Sequence, residues 1–354
     1  MSALFSHLRL RGVECRNRVF VSPMCQYSCR DGVPGEWHLV HLGSRAVGGA
    51  GLVMAEATAV APDGRISPDD AGIWNGAQAE AWARVAGFVA AQGAVPAIQL
   101  AHAGRKASTA APWAGHGTVA ASAGGWTPVG PSPLAFDEGF PVPRELAGAE
   151  VAALPGLFAA AAARAKDAGM RAVELHFAHG YLVHEFLSPL SNRRTDAYGG
   201  SFDGRVRLAL EIAAAVRRAW PDELPLMARV SATDWAGGGW DLEQTVELAR
   251  RLKAAGVDFL DCSSGGLVPH AKVPVGPGYQ VPFSAAVRAR TGLATGAVGM
   301  ITEPAQAEEI VASGKADAVL LARELLRDPY WPLRAAAALG AEGPWPKQYL
   351  RARS

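Results

Sequence analysis

Two histidines and a tyrosine stand close together in the segment Val173-Glu174-Leu175-His176-Phe177-Ala178-His179-Gly180-Tyr181. The segment begins as an apolar strand, and His179 and Tyr181 follow where that strand ends. Two imidazoles can polarise an oxygen and a phenol can deliver a proton, so the set is suited to reducing a double bond conjugated to a carbonyl. The same two histidines could instead bind a metal ion. The pair alone does not decide between these chemistries.

The composition narrows the classes of protein to which the chain can belong. It has 354 residues, of which 49% are hydrophobic and 19% charged, and its net charge is +1 with no long basic run. We therefore expect no nucleic-acid partner. The charge-free stretches are interrupted by Pro, Gly, Gln and His, and the N-terminus lacks an apolar run behind a basic start, so we expect neither a membrane span nor a signal peptide.

The cysteines predict a reducing compartment. The chain has four, Cys15, Cys25, Cys29 and Cys262, without the close spacing of a disulfide scaffold. Cys25 and Cys29 have no matching second pair, so the spacing does not favour a zinc or iron–sulfur site. We expect a cytoplasmic protein with no structural metal.

Short apolar runs alternate with helix-like segments along the chain, which predicts a parallel sheet. We expect helices over 77–92, 149–168, 204–219, 242–255, 282–291 and 304–313, with Asp241 and Gln244 forming a capping box before one of them. The expected strands are 18–22, 51–57, 95–101, 172–177, 225–230, 257–262, 295–299 and 316–322. Eight strands favour a single (β/α)8 TIM barrel, and no Gly-x-Gly-x-x-Gly follows any strand to indicate a Rossmann domain.

Two segments depart from this repeat. Residues 103–148 form a long excursion after the third strand, rich in Gly, Pro and Ser and containing Trp113 and Trp126, which we expect to act as an active-site lid. Residues 341–354 follow the barrel (1–340) and contain Gly343-Pro344-Trp345-Pro346, which cannot continue a helix. We expect this end of the chain to be an extended C-terminal arm.

Polar residues recur at the predicted strand ends, where barrel enzymes hold their active sites. Gly299 and Arg323 follow the last two strands, at the place where such barrels tend to bind phosphate. Together with Gln99 near the end of the third strand and Arg229 in the fifth, they suit a phosphorylated ring system lying across the barrel mouth.

Five motifs in order make the chain similar to the Old Yellow Enzyme family of flavoproteins, in the bacterial branch of xenobiotic reductases and thermophilic-type relatives. The first three are Ser22-Pro23-Met24-Cys25-Gln26-Tyr27, Gln99-Leu100-Ala101-His102-Ala103-Gly104-Arg105 and His176-x-x-His179-Gly180-Tyr181. The others are Ser188-Pro189 with Asn192, Arg194, Asp196 and Tyr198-Gly199-Gly200-Ser201, and Ala322-Arg323-Glu324-Leu325. The resemblance covers nearly the whole chain.

The resemblance implies a noncovalently bound FMN, reduced by NADPH or NADH, and an ene-reductase that acts on enone-type carbonyl compounds, with nitro compounds or quinones as further candidate substrates. It implies that His176 and His179 bind the substrate carbonyl, that Tyr181 donates a proton to the α-carbon, that Cys25 tunes the flavin and that Tyr27 contacts the substrate. The implied FMN-binding residues are Ser22, Pro23, Met24, Cys25, Ala57, Gln99, Arg229, Gly299, Ala322 and Arg323.

The resemblance also implies a homodimer or homotetramer in which Arg351 of the arm reaches the active site of a neighbouring subunit, with Arg353 as an alternative register.

Three rival functions stay open at this point. One is a metal-dependent barrel hydrolase that uses His176 and His179, with His102 as a conceivable third ligand. The others are a flavoprotein with an iron–sulfur cluster, for which the chain lacks a cysteine cluster, and a non-catalytic ligand-binding barrel.

Overall fold

A computed structural model describes residues 2–115 and 117–353. Eight strands form a closed barrel in the order β10-β11-β12-β3-β4-β5-β8-β9, and every neighbouring pair is parallel. The strands are β1 (Leu8–Leu10), β2 (Val13–Cys15), β3 (Val19–Val21), β4 (Leu52–Ala59), β5 (Val95–Ala101), β6 (Val129–Gly130), β7 (Arg144–Glu145), β8 (Ala172–Phe177), β9 (Leu226–Ser231), β10 (Phe259–Ser263), β11 (Ala294–Val298) and β12 (Ala318–Leu321). Each of the eight predicted strands overlaps one barrel strand, so the predicted TIM barrel is confirmed.

Helices pack around the barrel and cover its apolar strands. They are α1 (Glu36–Val47), α2 (Gly76–Ala91), α3 (Gly148–Asp167), α4 (Leu182–Leu187), α5 (Phe202–Ala219), α6 (Leu242–Ala254), α7 (Val281–Thr291), α8 (Pro304–Ala312), α9 (Arg323–Arg327) and α10 (Trp331–Ala338). Strands β4, β5, β8 and β9 are buried at every position, as expected of parallel strands with side chains packed on both faces. No helix among the described residues is long and apolar enough to cross a membrane.

The sequence pattern missed α1, which connects the first two barrel strands. Its N-cap is Gly35, which has no side chain with which to cap the helix, and the helix contains Gly43. A Cβ atom at Gly43 would lie 2.8 Å from the ring of Phe88 on α2. The glycine therefore allows two helices to pack closely, while its presence weakens the helical pattern in the sequence.

The predicted capping box before α6 is half confirmed. The Asp241 side chain accepts a hydrogen bond from the backbone N–H of Gln244 at 2.9 Å. The Gln244 side chain does not return to the cap; its oxygen accepts from Arg205 at 2.6 Å and its amide lies 3.4 Å from the carbonyl of Gly239.

The excursion 103–148 has structure of its own. It contains two short 3₁₀ turns and the two-residue strands β6 and β7, which pair in parallel. Trp126 Nε1 donates to the carbonyl of Asp63 at 2.9 Å, and Arg193 N donates to Ser132 Oγ at 2.8 Å. These bonds attach the excursion to loops that follow other barrel strands at the C-terminal face.

The N-terminal hairpin and the C-terminal segment lie at the opposite face. Gly12 N donates to the carbonyl of Glu223, just before β9, and Arg11 pairs with Asp258, just before β10, at 2.7 Å. The segment after residue 341 runs beside this hairpin, where Leu350 and Arg353 share a cavity wall with hairpin residues. It ends in a 3₁₀ helix over Lys347–Ala352.

Candidate active site

A tight turn after β8 brings the two histidines and the tyrosine together. The ring centroids of His176 and His179 are 5.2 Å apart, and those of His176 and Tyr181 are 5.1 Å apart. His179 has a φ of 62° and Gly180 a φ of 73°, both in the left-handed region. A Cβ atom at Gly180 would lie 2.2 Å from the carbonyl oxygen of Gly266, so only glycine fits where the turn meets the neighbouring loop.

Both histidines are held as neutral imidazoles. Burial and the nearby Arg229 guanidinium lower the pKa of His176 and of His179 well below its usual value. His179 Nε2 lies 2.7 Å from Ser263 Oγ, and its backbone N–H donates to Ser231 Oγ at 2.9 Å. His176 Nδ1 is buried without a hydrogen-bond partner. A neutral imidazole keeps one N–H, so each ring can still donate a hydrogen bond.

Tyr181 is held as a neutral phenol. Burial raises its pKa well above the usual value, and negative charge on Cys25, Tyr27 and Asp70 would raise it further. The three rings therefore present hydrogen-bond donors and one protonated phenol in a buried setting, in which such donors act strongly on a developing negative charge.

Buried charged groups line the middle of the barrel mouth. Gln99 Nε2 donates to Glu174 Oε1 at 2.7 Å, and Arg229 donates to Ser22 Oγ at 3.2 Å. Arg229 Nε lies 3.0 Å from Asp261 Oδ2, but without the alignment of a hydrogen bond. Four buried atoms here have no hydrogen-bond partner: Glu174 Oε2, Arg229 Nε and the two carboxylate oxygens of Asp261. Burial raises the pKa of both Glu174 and Asp261.

A cavity of about 250 Å³ connects this group to the ends of β11 and β12. Four predicted cofactor-binding residues, Arg229, Gly299, Ala322 and Arg323, line it together. Gly299 has a φ of 115°, and a Cβ atom there would lie 2.7 Å from Gln280 Nε2. The backbone can therefore come close to a ligand at a position where a side chain would interfere.

The residues predicted after β3 follow the strand that pairs with β12, next to this cavity. Ser22 is buried, and Pro23, Met24, Cys25 and Tyr27 are half-buried. Burial, with Asp70 and Glu56 nearby, raises the pKa of the Cys25 thiol well above its usual value, although part of the residue is accessible. Cys25 is therefore a neutral thiol. Ala57, on β4, is 8% exposed and shares a small cavity with Tyr181.

Sequence reasoning missed Lys106, which joins the excursion to the histidine turn. Its Nζ donates to the carbonyl of His179 at 2.8 Å and also to that of Gly266. It lies 4.0 Å from the centre of the Phe136 ring and 5.6 Å from that of Tyr181. Burial and Arg105 lower the pKa of Lys106 to about 7. The signal available in the sequence was its position four residues after His102, at the start of the excursion.

Glu174 and Asp261 were also missed. Each is an acidic residue inside an otherwise apolar strand, in Val173-Glu174-Leu175 and Leu260-Asp261-Cys262. That pattern was a usable signal, because a charged side chain in the interior of a parallel strand is rare unless it has a partner.

The metal-site hypothesis lacks a third ligand. His102 Nδ1 accepts the backbone N–H of Gly104 at 3.1 Å, and its Nε2 lies 3.9 Å from Asp63 Oδ1. Among the described residues, no three His, Cys, Asp or Glu side chains are grouped so that they could hold a metal ion. The geometry of His176 and His179 therefore resembles a site for an oxygen more than a metal centre.

Arg351 is not part of this cluster within the chain. It lies exposed on the C-terminal segment, which runs beside the N-terminal hairpin, and the ring centroids of Tyr330 and Tyr349 are 6.1 Å apart there. The other predicted site residues line the C-terminal face of the barrel, and Arg351 lies near the N-terminal face.

The site lies at the C-terminal mouth of a closed TIM barrel, where barrel enzymes hold their active sites. The profile of the NADH:flavin oxidoreductase / NADH oxidase family matches residues 3–342, and the chain belongs to this family. It is therefore an enzyme, an NAD(P)H-dependent flavin oxidoreductase. Both the predicted family and the predicted enzyme class are confirmed.

Known proteins similar to the chain agree with this assignment. An NADPH dehydrogenase of Geobacillus sp. (strain WCH70) is 47% identical over 350 residues, which is 98% of each chain. The NADPH dehydrogenase of Bacillus subtilis (strain 168) is 45% identical over 350 residues, again 98% of each. Among solved structures, morphinone reductase superposes with a TM-score of 0.80 at 29% identity, covering 97% of this chain and 91% of its own.

The residues around the mouth fit a flavin nucleotide. The exposed Arg323 guanidinium and the backbone at Gly299 suit a phosphate at one end of the cavity. The Arg229 guanidinium, which makes a single hydrogen bond, to Ser22, and the Gln99 amide suit the polar edge of the ring at the other. Both ends have donors of the required kind.

Proposed function

We propose that the protein is an FMN-dependent ene-reductase for α,β-unsaturated carbonyl compounds, with nitro compounds and quinones as further substrates. The observation that carries the proposal is the group of His176, His179 and Tyr181. The His176 ring lies 5.2 Å from that of His179 and 5.1 Å from that of Tyr181, and His179 contacts Ser263 in the cavity wall. A bound FMN would supply the hydride chemistry between NADPH or NADH and the β-carbon of the substrate.

The chain's own residues provide the other parts of the reaction. His176 and His179, both neutral, donate hydrogen bonds to the substrate carbonyl oxygen and stabilise the negative charge that develops on it. Tyr181, whose raised pKa keeps it protonated, donates a proton to the α-carbon. Tyr27 contacts the substrate from the side of the excursion, where its ring meets Trp113 edge to face at 5.5 Å.

The cofactor residues divide into two groups in this proposal. Ser22, Pro23, Met24, Cys25 and Ala57 form a surface for the flavin ring, with Gln99 and Arg229 at its polar edge. Gly299, Ala322 and Arg323 hold the phosphate without a covalent bond. Arg323→Ala should therefore lower FMN retention after gel filtration, whereas the exposed Arg207→Ala should not. Equal flavin content in both variants would contradict the phosphate assignment.

The purified parent protein should be yellow, and NADPH or NADH should bleach it anaerobically.

Tyr181→Phe tests the proton step. This variant should be reduced normally but should reoxidise with 2-cyclohexenone about 10²–10⁴-fold more slowly, the usual contribution of a general acid. A quinone needs no carbon protonation, so its rate should fall less. Tyr198→Phe, remote from the site and bonded to Glu211 at 3.0 Å, is the matched control; equal losses with both substrates would contradict the role.

We further propose a cytoplasmic homodimer or homotetramer in which Arg351 reaches the neighbouring active site. Four free cysteines support a reducing compartment. The exposed Tyr349 and Leu350, at 41% and 49%, support a surface that a second subunit covers. Deleting residues 345–354 should raise the KM for the enone and weaken the oligomer together. An unchanged oligomer with unchanged kinetics would show that the arm is not shared.

A further inference from the structure

A small cavity lies directly beside Tyr181, on the side of β4 and β5. Its volume of about 10 Å³ is close to the minimum that a single water molecule needs. Two polar side chains line it, those of Tyr181 and Asp70. The remaining lining residues are Ala57, Ala59, Gly64, Ile66, Ala101 and Ala103.

Asp70 is held firmly at this cavity by its own loop. Its carboxyl group accepts hydrogen bonds from the backbone N–H of Ile66 at 2.8 Å and from Ser67 Oγ at 2.9 Å. The loop is anchored in turn to β4, because Ala59 N donates to the carbonyl of Ala71. Asp70 is 2% exposed, and no arginine or lysine within the described residues forms an ion pair with it.

An unpaired buried carboxyl group is suited to carrying a proton. Burial and the Glu56 carboxylate raise the pKa of Asp70 to about 7, while its two hydrogen bonds act in the opposite direction. The other titratable or charged groups around it lie on three neighbouring strand ends and on its own loop. They are Cys25, Tyr27, Cys29, Asp63, Arg65, Asp69, His102 and Tyr181.

The proposed reaction leaves Tyr181 without a proton after each turnover. The Tyr181 O–H bond breaks, its proton forms a C–H bond at the α-carbon of the enolate, and a tyrosinate remains. Burial makes this tyrosinate unstable, so the next turnover needs a proton from a nearby donor. Lys106 is a poor candidate because its Nζ donates to two carbonyls and lies over ring faces.

We propose that Asp70 is the internal acid that returns a proton to Tyr181 after each turnover, through one water molecule in the cavity that the two side chains share. The Asp70 O–H bond breaks, the water passes a proton to the tyrosinate oxygen, and Asp70 becomes a carboxylate. This inference rests on the proposed donor role of Tyr181. No direct hydrogen bond joins the two side chains among the described residues, and for this reason the relay includes a water.

The carboxylate can recover its proton from solvent across its own loop. On the outer side of that loop, Arg65, Pro68 and the exposed Asp69 line a second cavity of about 530 Å³. The loop thus lies between an inner cavity, lined by Asp70, and an outer one, lined by the neighbouring Asp69. Asp70 is the titratable residue of this loop that faces inward.

The relay predicts different effects on the first and on later turnovers. In FMN-loaded Asp70→Asn, the first reoxidation of reduced enzyme by 2-cyclohexenone should keep the parent rate, because Tyr181 still carries its proton. The steady-state kcat should fall about tenfold, within the range for a lost acid–base group, and a tyrosinate band should accumulate in the ultraviolet difference spectrum. Asp69→Asn, its exposed neighbour, should behave as the parent.

The pH profile adds a second measurement. The parent kcat should fall as the pH rises through about 7, where Asp70 loses its proton. This decrease is the alkaline limb of the pH profile, and Asp70→Asn should lack it. If Asp70→Asn fails to bind FMN, Ser67→Ala serves instead. It removes a hydrogen bond to the charged carboxylate, so the pKa of Asp70 rises and the limb should move to higher pH.

The outcomes separate this inference from the proposed function. A slow first turnover in Tyr181→Phe, with an unchanged kcat and no tyrosinate band in Asp70→Asn, would overturn the relay alone. A normal first turnover in Tyr181→Phe would overturn the donor role itself. A limb that stays at the parent pH in Ser67→Ala would likewise overturn the relay.

Discussion

Two arginines at opposite faces of the barrel have very different surroundings. Arg16, at the N-terminal face, donates four hydrogen bonds at 2.7–3.1 Å to the carbonyls of Ala46, Ala50 and Gln92. Arg229, at the C-terminal face, donates one, at 3.2 Å, to Ser22, and its buried Nε makes no aligned hydrogen bond although Asp261 Oδ2 lies 3.0 Å away. The first guanidinium is satisfied by the fold, and the second is satisfied only in part.

The same contrast holds for the two faces as a whole. At the barrel mouth, buried atoms of Glu174, His176 and Asp261 also lack hydrogen-bond partners. Among the described residues, Arg217 Nε is the comparable atom at the N-terminal face. A native fold rarely leaves so many buried polar atoms unpaired in one place unless a ligand completes them. The N-terminal face is therefore built for stability and the C-terminal face for binding and chemistry.

The largest expected effect concerns the two histidines at the end of β8 and in the turn after it. His176→Ala and His179→Ala should each slow enone reduction by about 10²–10³-fold, the usual effect of losing an oxyanion donor, with little change in flavin reduction by NADPH. The parent should bind simple phenols with a long-wavelength charge-transfer band to the flavin, because a phenolate can occupy the position of the carbonyl oxygen. Both variants should lose this band. The exposed His7→Ala at the N-terminal face is the control. A variant that keeps both the rate and the band would remove that histidine from the carbonyl site.

The two arginines should separate stability from binding. Arg16→Met should lower the free energy of unfolding by about 2–3 kcal/mol, since hydrogen bonds from a charged group contribute strongly, without changing FMN affinity. Arg229→Met should greatly weaken FMN binding. Its effect on the stability of the apoprotein should be smaller, because Asp261, with its raised pKa, can take up a proton. Urea unfolding and FMN titration of both variants measure the two quantities; a reversed pattern would refute the contrast.

The barrel could be predicted from the sequence because its strands are apolar runs bounded by Gly, Pro and Asp. His176, Arg229 and Gly299 could be placed on the C-terminal face because they lie in or at the ends of such strands. Sequence reasoning missed Lys106, Asp70 and Glu56, because each gains its meaning from loops that meet only in the fold. Glu56, for example, lies at a β-bulge between Ala55 and Ala57 and binds His38 at 3.0 Å. No spacing in the sequence indicates that contact.

A third prediction concerns Glu185, a buried carboxyl group at the C-terminal face. It accepts the backbone N–H of Arg105 at 2.9 Å, its other oxygen is unpartnered, and burial raises its pKa to about 8. Between about pH 5 and 8 the folded state therefore binds a proton that the unfolded state has lost, so this group makes stability fall as the pH rises. Between pH 5 and pH 8, the free energy of unfolding of Glu185→Gln should rise relative to that of the parent by about 3 kcal/mol.

Thermal unfolding of the parent and Glu185→Gln across this range measures the effect as a difference. Taking the difference matters because Lys106, whose pKa is lowered to about 7, has the opposite dependence on pH. Glu80→Gln, on the exposed face of α2, should follow the parent at every pH. A constant difference between Glu185→Gln and the parent would show that Glu185 is ionised in the folded protein.

The smallest expected effect compares two cysteines, one at each face. Cys25 is a half-buried neutral thiol beside the proposed flavin surface, whereas Cys15 is 1% exposed in the N-terminal hairpin. Cys25→Ser replaces a weak hydrogen-bond donor by a stronger one and should shift the flavin reduction potential by about 30 mV, which is about 1.4 kcal/mol for two electrons. Cys15→Ser should lower stability and leave the potential unchanged, because its burial is in the core and not at the mouth. Potentiometric titration of both holoenzymes decides the matter: a potential that moves in neither variant, with unchanged rates, would make Cys25 as much a packing residue as Cys15.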